Sequence, residues 1–481
     1  MGFATANLRG IVSGVLAMAG TAILMWFGNG LNPWWPCLWF ATFPVLWFSL
    51  RSSWWSAGLV AATSMLLGGL NLFPYFHRVL AAPVMVWVEI YGIMAIVFAA
   101  AVLLFRALVF RGAVWSALVA LPAMWVSLEY VRNLAGPHGT AGSLAYSQLH
   151  FLSFLQLASI TGPWGMSFVL LLPASALAIA MHLWAMQRRP ALRILGTTAG
   201  IIAAVLLYGG VRLAQPAGKT VRVGLVSSDQ RGFEAVVDPG EPAEKLFRAY
   251  APHIRALAAQ GAKTIVLPEM LAVIVDPHKE AADSVLQPLA DRTGATIVAG
   301  AIHVVEPYTY NQARIYSPNM AIASYDKHHL LPPFESRTTP GTSMTFLPRD
   351  GETWGVAICK DMDFTRLLRR YGQAGAGLML VPAWDFVVDA SWHGHIAVMR
   401  GVEDGFSIVR SAKGGYLTVS DSRGRIVAER RSDAAPFSTL IADVPAEHHP
   451  TPYLLLGDWF PWLAMGLVVL TTLRLTWRRS I

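Results

Sequence analysis

Long apolar runs with almost no charge occupy both ends of this chain, and they leave it little choice of environment. An apolar helix of about 20 residues spans the hydrocarbon core of a bilayer. Stretches of that kind fall at residues 10–29, 33–50, 54–75, 80–105, 113–131, 163–186, 194–214 and 453–475. Inside lipid the backbone finds no water to bond, so such stretches must be helical. The expected architecture is therefore a polytopic α-helical membrane domain of about eight transmembrane helices, seven before a long polar region and one after it. Composition agrees, because 54% of the 481 residues are hydrophobic and only 14% are charged. A soluble chain of that makeup would expose large apolar patches and aggregate. The first span is followed by Asn29, Asn32, Trp34 and Trp35 rather than by a small-residue cleavage site, and reads as an uncleaved anchor.

The formal charge of +8 invites a nucleic-acid reading, but much of the arginine excess lies in short loops, where it sets topology. With the N-terminus inside, the inner flanks hold Arg9, Arg51, Arg106, Arg111, Arg188, Arg189, Arg193, Arg474, Arg478 and Arg479. The outer loops hold only Arg78, Arg132 and Arg212. An even number of spans then places residues 215–450 on the outer side. No nucleic-acid partner is expected. The two cysteines, Cys37 in an apolar span and Cys359 in the polar region, offer no disulfide framework.

The polar region alternates short β-like runs (Val221–Val226, Thr264–Leu267, Thr296–Ala301, Trp354–Ile358, Gly377–Val381, Tyr416–Ser420) with helix-like stretches such as Glu244–Ala259 and Ala281–Thr293. That order predicts an α/β layered domain. Residues 1–214 form the expected transmembrane domain with seven helices, 215–450 the extracytoplasmic domain, and 451–481 the last helix and a cytoplasmic tail. Residues 133–150, rich in Gly, Ser and His, are too polar to span and read as an outer loop.

Three residues stand at the ends of apolar runs or beside them. Cys359 follows Gly355-Val356-Ala357-Ile358, a strand delivering a thiol into a turn. Taken singly, a free cysteine is more often a buried core residue. Glu269 ends Ile265-Val266-Leu267-Pro268, where a carboxylate is costly unless paired or functional. It is either a general base or a capping acid. Lys327, in Tyr325-Asp326-Lys327-His328-His329, is a solvated charge or an oxyanion donor. Glu335 orients such groups or closes a turn. Lys360 beside the thiol would lower its pKa if it faced it. His328-His329 and His393-x-His395 lack the other ligands of a zinc site, and no Walker or dinucleotide fingerprint occurs. Neither metal nor cofactor is expected.

The order Glu269, Lys327, Cys359 resembles the nitrilase (carbon–nitrogen hydrolase) superfamily, with Leu-Pro-Glu, Tyr-Asp-Lys-His-His-Leu-Leu-Pro and Gly-Val-Ala-Ile-Cys as the matching local sequences. Met399 to Gly405, Val409-Arg410 and Gly414-Gly415 look like the helix and strand that follow the nucleophile there. The resemblance implies a nitrilase-like α-β-β-α sandwich. Seven spans, this domain and one further span make the whole chain similar to the apolipoprotein N-acyltransferases, and Leu144-Ala145-Tyr146-Ser147-Gln148 adds to the likeness.

That family implies a ping-pong acyl transfer in the cytoplasmic (inner) membrane of a bacterium, with the catalytic domain on the periplasmic side. Cys359 would be the nucleophile, Glu269 the general base, Lys327 the oxyanion donor and Glu335 the supporting acid. The donor would be a membrane phospholipid, and the acceptor the α-amine of a lipoprotein's diacylglyceryl-cysteine. Asp361, Lys360, Tyr146 and Trp384 are the expected substrate-binding residues, with Trp392 a further neighbour, and the chain is expected to act as a monomer. Lys360 and Lys413 depart from the family, which commonly has Tyr and Asn there, and Val226 to Gln230 lacks its Gln-Gly-Asn flavour. These departures motivate an alternative, a membrane-tethered amidase or acyltransferase acting on another amine or amide.

Overall fold

The computed structural model describes residues 2–230, 242–276, 279–349 and 351–477, so Arg478 and Arg479 of the inner flank lie outside the described residues. The chain divides into two compact units. The first comprises Met1–Gly136, Gly142–Leu213 and Leu456–Ile481; the second comprises Pro137–Ala141 and Ala214–Leu455.

The first unit is a helical bundle. Its long helices are α1 (Gly2–Gly28), α2 (Trp54–Gly69), α3 (Val84–Phe110), α4 (Val114–Ala135), α5 (Ala158–Leu183) and α6 (Arg188–Leu213), with a C-terminal helix over Trp459–Trp477. Six of the described helices are long and apolar enough to cross a membrane, and the C-terminal one is a shorter apolar helix. The chain is a multi-pass membrane protein. Helix α5 is kinked where Gly162 takes a φ of 62° ahead of Pro163, and its straight part begins where the sequence places the start of that span.

The expected span at 33–50 is not one helix. It is a 3₁₀ turn (Trp35–Trp39), a break, and a short α-helix (Phe43–Ser49). Pro36 and Pro44 each begin one of these pieces, because a proline lacks the N–H that a continuous helix needs. Contacts with the bundle hold the segment at both ends. At one end Gln148, after α4, donates to the carbonyl of Trp35 at 3.0 Å and accepts from the Trp39 indole at 3.0 Å. At the other, Arg106 near the α3–α4 hairpin donates to the carbonyl of Ser49 at 2.7 Å. Leu38, Ala41, Val45 and Leu46 are fully buried, so neighbouring protein packs against one side of the break, while Phe40 within it stays exposed.

The second unit is built on two sheets. In the first the order is β13-β1-β2-β4-β5-β6, from strands β1 (Thr220–Ser227), β2 (Thr264–Val266), β3 (Val273–Val275), β4 (Thr296–Val305), β5 (Tyr308–Tyr316), β6 (Ala323–Asp326) and β13 (Ser438–Pro445), with β3 paired beside β4. The second runs β12-β11-β10-β9-β8-β7, from β7 (Phe346–Arg349), β8 (Glu352–Val356), β9 (Ala376–Trp384), β10 (Ser407–Lys413), β11 (Tyr416–Ser420) and β12 (Ile426–Arg431). Parallel pairing joins β1, β2 and β4 in one sheet and β8, β9 and β10 in the other. Gly414 and Gly424, both at positive φ, make the turns flanking β11.

Alternation along the strands decides the layers. Val223, Leu225, Val266 and Val298 point between the sheets, against Val356, Leu378, Leu380 and Val409. Val226, Ile265 and Ile297 point the other way, onto Phe247 and Ile254 of α7 (Ala243–Ala259) and Leu286 and Leu289 of α8 (Lys279–Thr293). Helices α9 (Thr365–Gln373) and α10 (Ala390–Asp404) cover the second sheet. The result is the four-layer α-β-β-α sandwich. Each fully buried aliphatic side chain contributes about 1.5–3 kcal/mol.

Candidate active site

Three strand ends deliver the chemistry. Past β2, Leu267 and Pro268 carry the chain to Glu269, whose N–H donates to Ala383 of β9 at 3.2 Å. Gly300 of β4 lies against this turn, and a Cβ there would stand 2.5 Å from the Glu269 Cα. Lys327 follows β6 directly, its N–H donating to the Asn311 carbonyl of β5 at 2.8 Å. Cys359 follows β8 and opens the 3₁₀ turn Cys359–Asp363 at a φ of 42°. Left-handed backbone costs a non-glycine residue roughly 1–2 kcal/mol and collects at functional sites. Met270 and Val387 are also at positive φ.

The side chains form a buried charge network. Lys327 Nζ donates to Glu269 Oε1 at 2.8 Å and to Glu335 Oε2 at 2.7 Å. The Asn311 amide nitrogen lies between the same carboxylates, 2.6 Å from Oε1 of each. Glu335 Oε2 also accepts from the Leu331 N–H at 2.7 Å. The two acids are thus not equivalent. Both oxygens of Glu335 are engaged, whereas both bonds to Glu269 fall on Oε1, and Oε2 accepts none among the described residues. One carboxylate is a fixed strut; the other has an oxygen to spare. Lys327 likewise spends two of its three N–H donors on these acids and keeps one.

Burial pushes the Glu269 carboxyl above its ordinary pKa, and the Glu335 charge adds to this against the pull of Lys327. Burial alone would lower the Lys327 pKa, but Glu269 and Glu335 outweigh it and hold the ammonium charged well beyond its ordinary range. The Cys359 thiol is pushed well up, by burial first and then by Glu269, with Lys327 opposing. A thiol so placed is neutral at rest, so its attack needs a base within reach.

Glu269, Lys327 and Cys359 line one pocket, together with Glu335, Lys360, His393, Met270, Leu331, Phe334, Trp384 and Phe386. Cys359 is partly exposed in it, and Sγ lies 3.4 Å from the Trp384 carbonyl. A carboxylate, a cation and a thiol around one space, on an apolar wall, are the groups that nucleophilic chemistry at a thiol requires.

Comparison with known proteins gives a consistent family. The Apolipoprotein N-acyltransferase N-terminal domain matches residues 21–176, and the Carbon-nitrogen hydrolase family matches residues 239–449. The N-terminal part of the chain is thus similar to the apolipoprotein N-acyltransferases and the C-terminal part to the carbon–nitrogen hydrolases. An apolipoprotein N-acyltransferase of Geobacter metallireducens is 28% identical over 345 residues, covering 65% of this chain and 65% of its own length, a little under two thirds. Apolipoprotein N-acyltransferase 2 of Treponema denticola is 24% identical over 414 residues, covering 74% of this chain and 77% of its own. Among solved structures, an amidase from Nesterenkonia sp. is 22% identical with a TM-score of 0.41, covering 50% of this chain and 95% of that one.

The structure gathers Glu269, Lys327, Cys359, Glu335, Lys360 and Trp384 on one pocket, and three expected neighbours, Asp361, Tyr146 and Trp392, do not line it. Asp361 is buried inside the turn after Cys359. It accepts from the Tyr325 hydroxyl at 2.8 Å, from the Ile358 N–H at 3.1 Å and from the His329 N–H at 2.9 Å, so it fastens the Lys327 segment to the Cys359 turn. Tyr146 is buried in the first unit, in the 3₁₀ turn Leu144–Gln148, which Glu129 holds by accepting from the Leu144 N–H at 2.9 Å. Trp392 lies in α10 beside His393 and does not line the pocket. Lys413 sits 4.4 Å from the centre of the Trp384 ring.

Sequence reasoning missed Asn311 and His393. An asparagine in mid-strand is unfavourable, and that was the available signal for the first. Among the described residues no group of three or more His, Cys, Asp or Glu could hold a metal ion.

Proposed function

We propose that this chain transfers an acyl chain from a membrane phospholipid to the α-amine of a lipoprotein's N-terminal diacylglyceryl-cysteine, through a thioester on Cys359. The free Oε2 of Glu269 in a pocket shared with Cys359 and Lys327 carries this reading. Glu269 takes the thiol proton as Sγ attacks the ester carbonyl. The remaining N–H of Lys327 meets the developing oxyanion, and the departing glycerol oxygen takes the proton from Glu269, leaving lysophospholipid. In the second half the amine attacks the thioester, Glu269 accepts its proton, and the thiol is restored. Phe334, Phe386, Trp384 and Leu331 make a wall that suits an acyl chain and discourages water. The catalytic unit is assigned to the outer face of the bacterial cytoplasmic membrane on the arginine asymmetry of the loops, and the chain acts as a monomer.

Intact-mass measurement after incubation with phospholipid tests this. Wild type should gain the mass of one fatty acyl group, Cys359→Ala should gain none, and Cys37→Ala should behave as wild type. A diacylated lipopeptide should discharge the adduct with formation of the amide. Discharge by water alone, indifferent to the lipopeptide, would favour an amidase. An adduct persisting in Cys359→Ala would end the proposal.

A further inference from the structure

Two cations on the pocket wall have no part in the transfer described above. Lys360 and His393 line the pocket, whereas the carboxylates that hold them, Asp363 and Asp389, do not. Lys360 Nζ donates to Asp363 Oδ2 at 3.1 Å and to His138 Nδ1 at 3.1 Å. An ammonium has three N–H donors, so one remains. His393 Nε2 stands 3.2 Å from Asp389 Oδ2, and Nδ1 has no partner among the described residues. Burial alone would lower the His393 pKa, but Asp389, with Asp385 and Asp363 adding to it, raises it to about 8. The ring is therefore cationic at neutral pH. The pocket thus combines a thiol, an apolar wall, and two cations whose counter-charges stand behind them.

We propose that Lys360 and His393 form a subsite for the phosphodiester of the acyl donor. This rests on the thioester reading above. In a glycerophospholipid the reacting ester and the phosphate are joined by the short glycerol bridge. An ester carbonyl at Cys359 Sγ therefore keeps the phosphate within a few bonds of the same pocket. A phosphodiester carries one negative charge and two non-bridging oxygens. The spare N–H of Lys360 serves one of them and the Nδ1–H of His393 the other, as charge-assisted bonds. The covalent chemistry is unchanged: the Sγ–acyl bond forms, the ester C–O bond breaks, and the thiol proton leaves on the glycerol oxygen. The subsite therefore holds the leaving group, and it selects a phospholipid over an acyl ester without phosphate.

The test is single-turnover acylation of Cys359 in the full chain in detergent, followed by intact mass, with three donors of the same acyl chain: phosphatidylglycerol, diacylglycerol and a p-nitrophenyl ester. For Lys360→Met and His393→Gln the rate with phosphatidylglycerol should fall about tenfold or more, while the other two stay within about twofold of wild type. Lys360→Arg should restore most of the loss. The p-nitrophenyl ester reports folding, since it needs the triad alone. Equal losses with all three donors, or no loss with phosphatidylglycerol, would overturn the subsite and leave the thioester intact. No adduct on wild type with any donor would instead bring down the thioester reading and the subsite with it.

Discussion

Replacing Asn311 by leucine removes one amide from between two carboxylates while nearly keeping the shape of the side chain. That amide donates to Glu269 and to Glu335 at 2.6 Å each. A hydrogen bond to a charged group contributes about 1.5–3 kcal/mol, and only the one to Glu269 bears on the base. At about 1.4 kcal/mol per factor of ten, Cys359 acylation at neutral pH should slow roughly 10- to 100-fold. The sign of the pH effect follows. The donor favours the ionised carboxylate, so without it the Glu269 pKa, already raised by burial and by Glu335, rises further. A base acts only when ionised, so the acid limb of the rate profile should move to higher pH, with part of the lost rate recovered there. Stability should respond less than activity. The Asn311 side-chain oxygen, Oδ1, is buried without a hydrogen-bond partner, so its removal offsets much of the loss, and unfolding should change by about 1 kcal/mol or less. Stopped acylation assays across pH, paired with thermal unfolding in detergent, measure both. A rate loss of equal size at every pH, or no loss at all, would show that Asn311 does not act through the base.

Gly300→Ala should cost activity and about 1–3 kcal/mol of stability, because the added Cβ would stand 2.5 Å from the Glu269 Cα; wild-type acylation by Gly300→Ala would mean the Glu269 turn can shift without consequence. Arg410 and Asp385 form a fully buried pair next to Cys359, so Arg410→Met alone should destabilise by about 3–5 kcal/mol. The double variant Arg410→Met with Asp385→Leu should recover much of that in thermal unfolding. A double variant no more stable than the single would place the cost in packing instead of in an unpaired charge.

How far the sequence reveals this site depends on where each residue stands. Glu269 and Cys359 end apolar runs, and Lys327 sits in a motif-like stretch, so strand ends and local pattern suffice to bring the three forward. Asn311 lies within β5, a strand whose polar alternation hides it, and its importance appears only when β6 brings Lys327 alongside. Asp361 follows the nucleophile by two residues and so looks like a pocket residue. The 3₁₀ turn rotates it inward instead, onto Tyr325 and the Ile358 N–H. His393 was legible only as one member of a histidine pair, and its partner Asp389 stands one turn earlier, at the N-cap of α10. In the membrane unit, hydropathy marks each apolar stretch but cannot tell a continuous helix from a broken one. Between Trp35 and Ser49 two prolines decide that, and the surrounding protein makes it tolerable.

That broken passage bears on how the protein is made. An unbroken apolar helix is stable in lipid by itself, because every backbone group past its first and last turns is bonded within it. The stretch from Trp35 to Ser49 has no such independence. Its aromatic partners Phe151 and Phe154, and the amide of Gln148, belong to chain synthesised about a hundred residues later. Until they emerge, its open carbonyls have only the insertion machinery or stray water to answer them. Assembly of the bundle therefore cannot be a simple queue of helices entering in order, and this broken segment is completed only when the chain between the fourth and fifth long helices arrives.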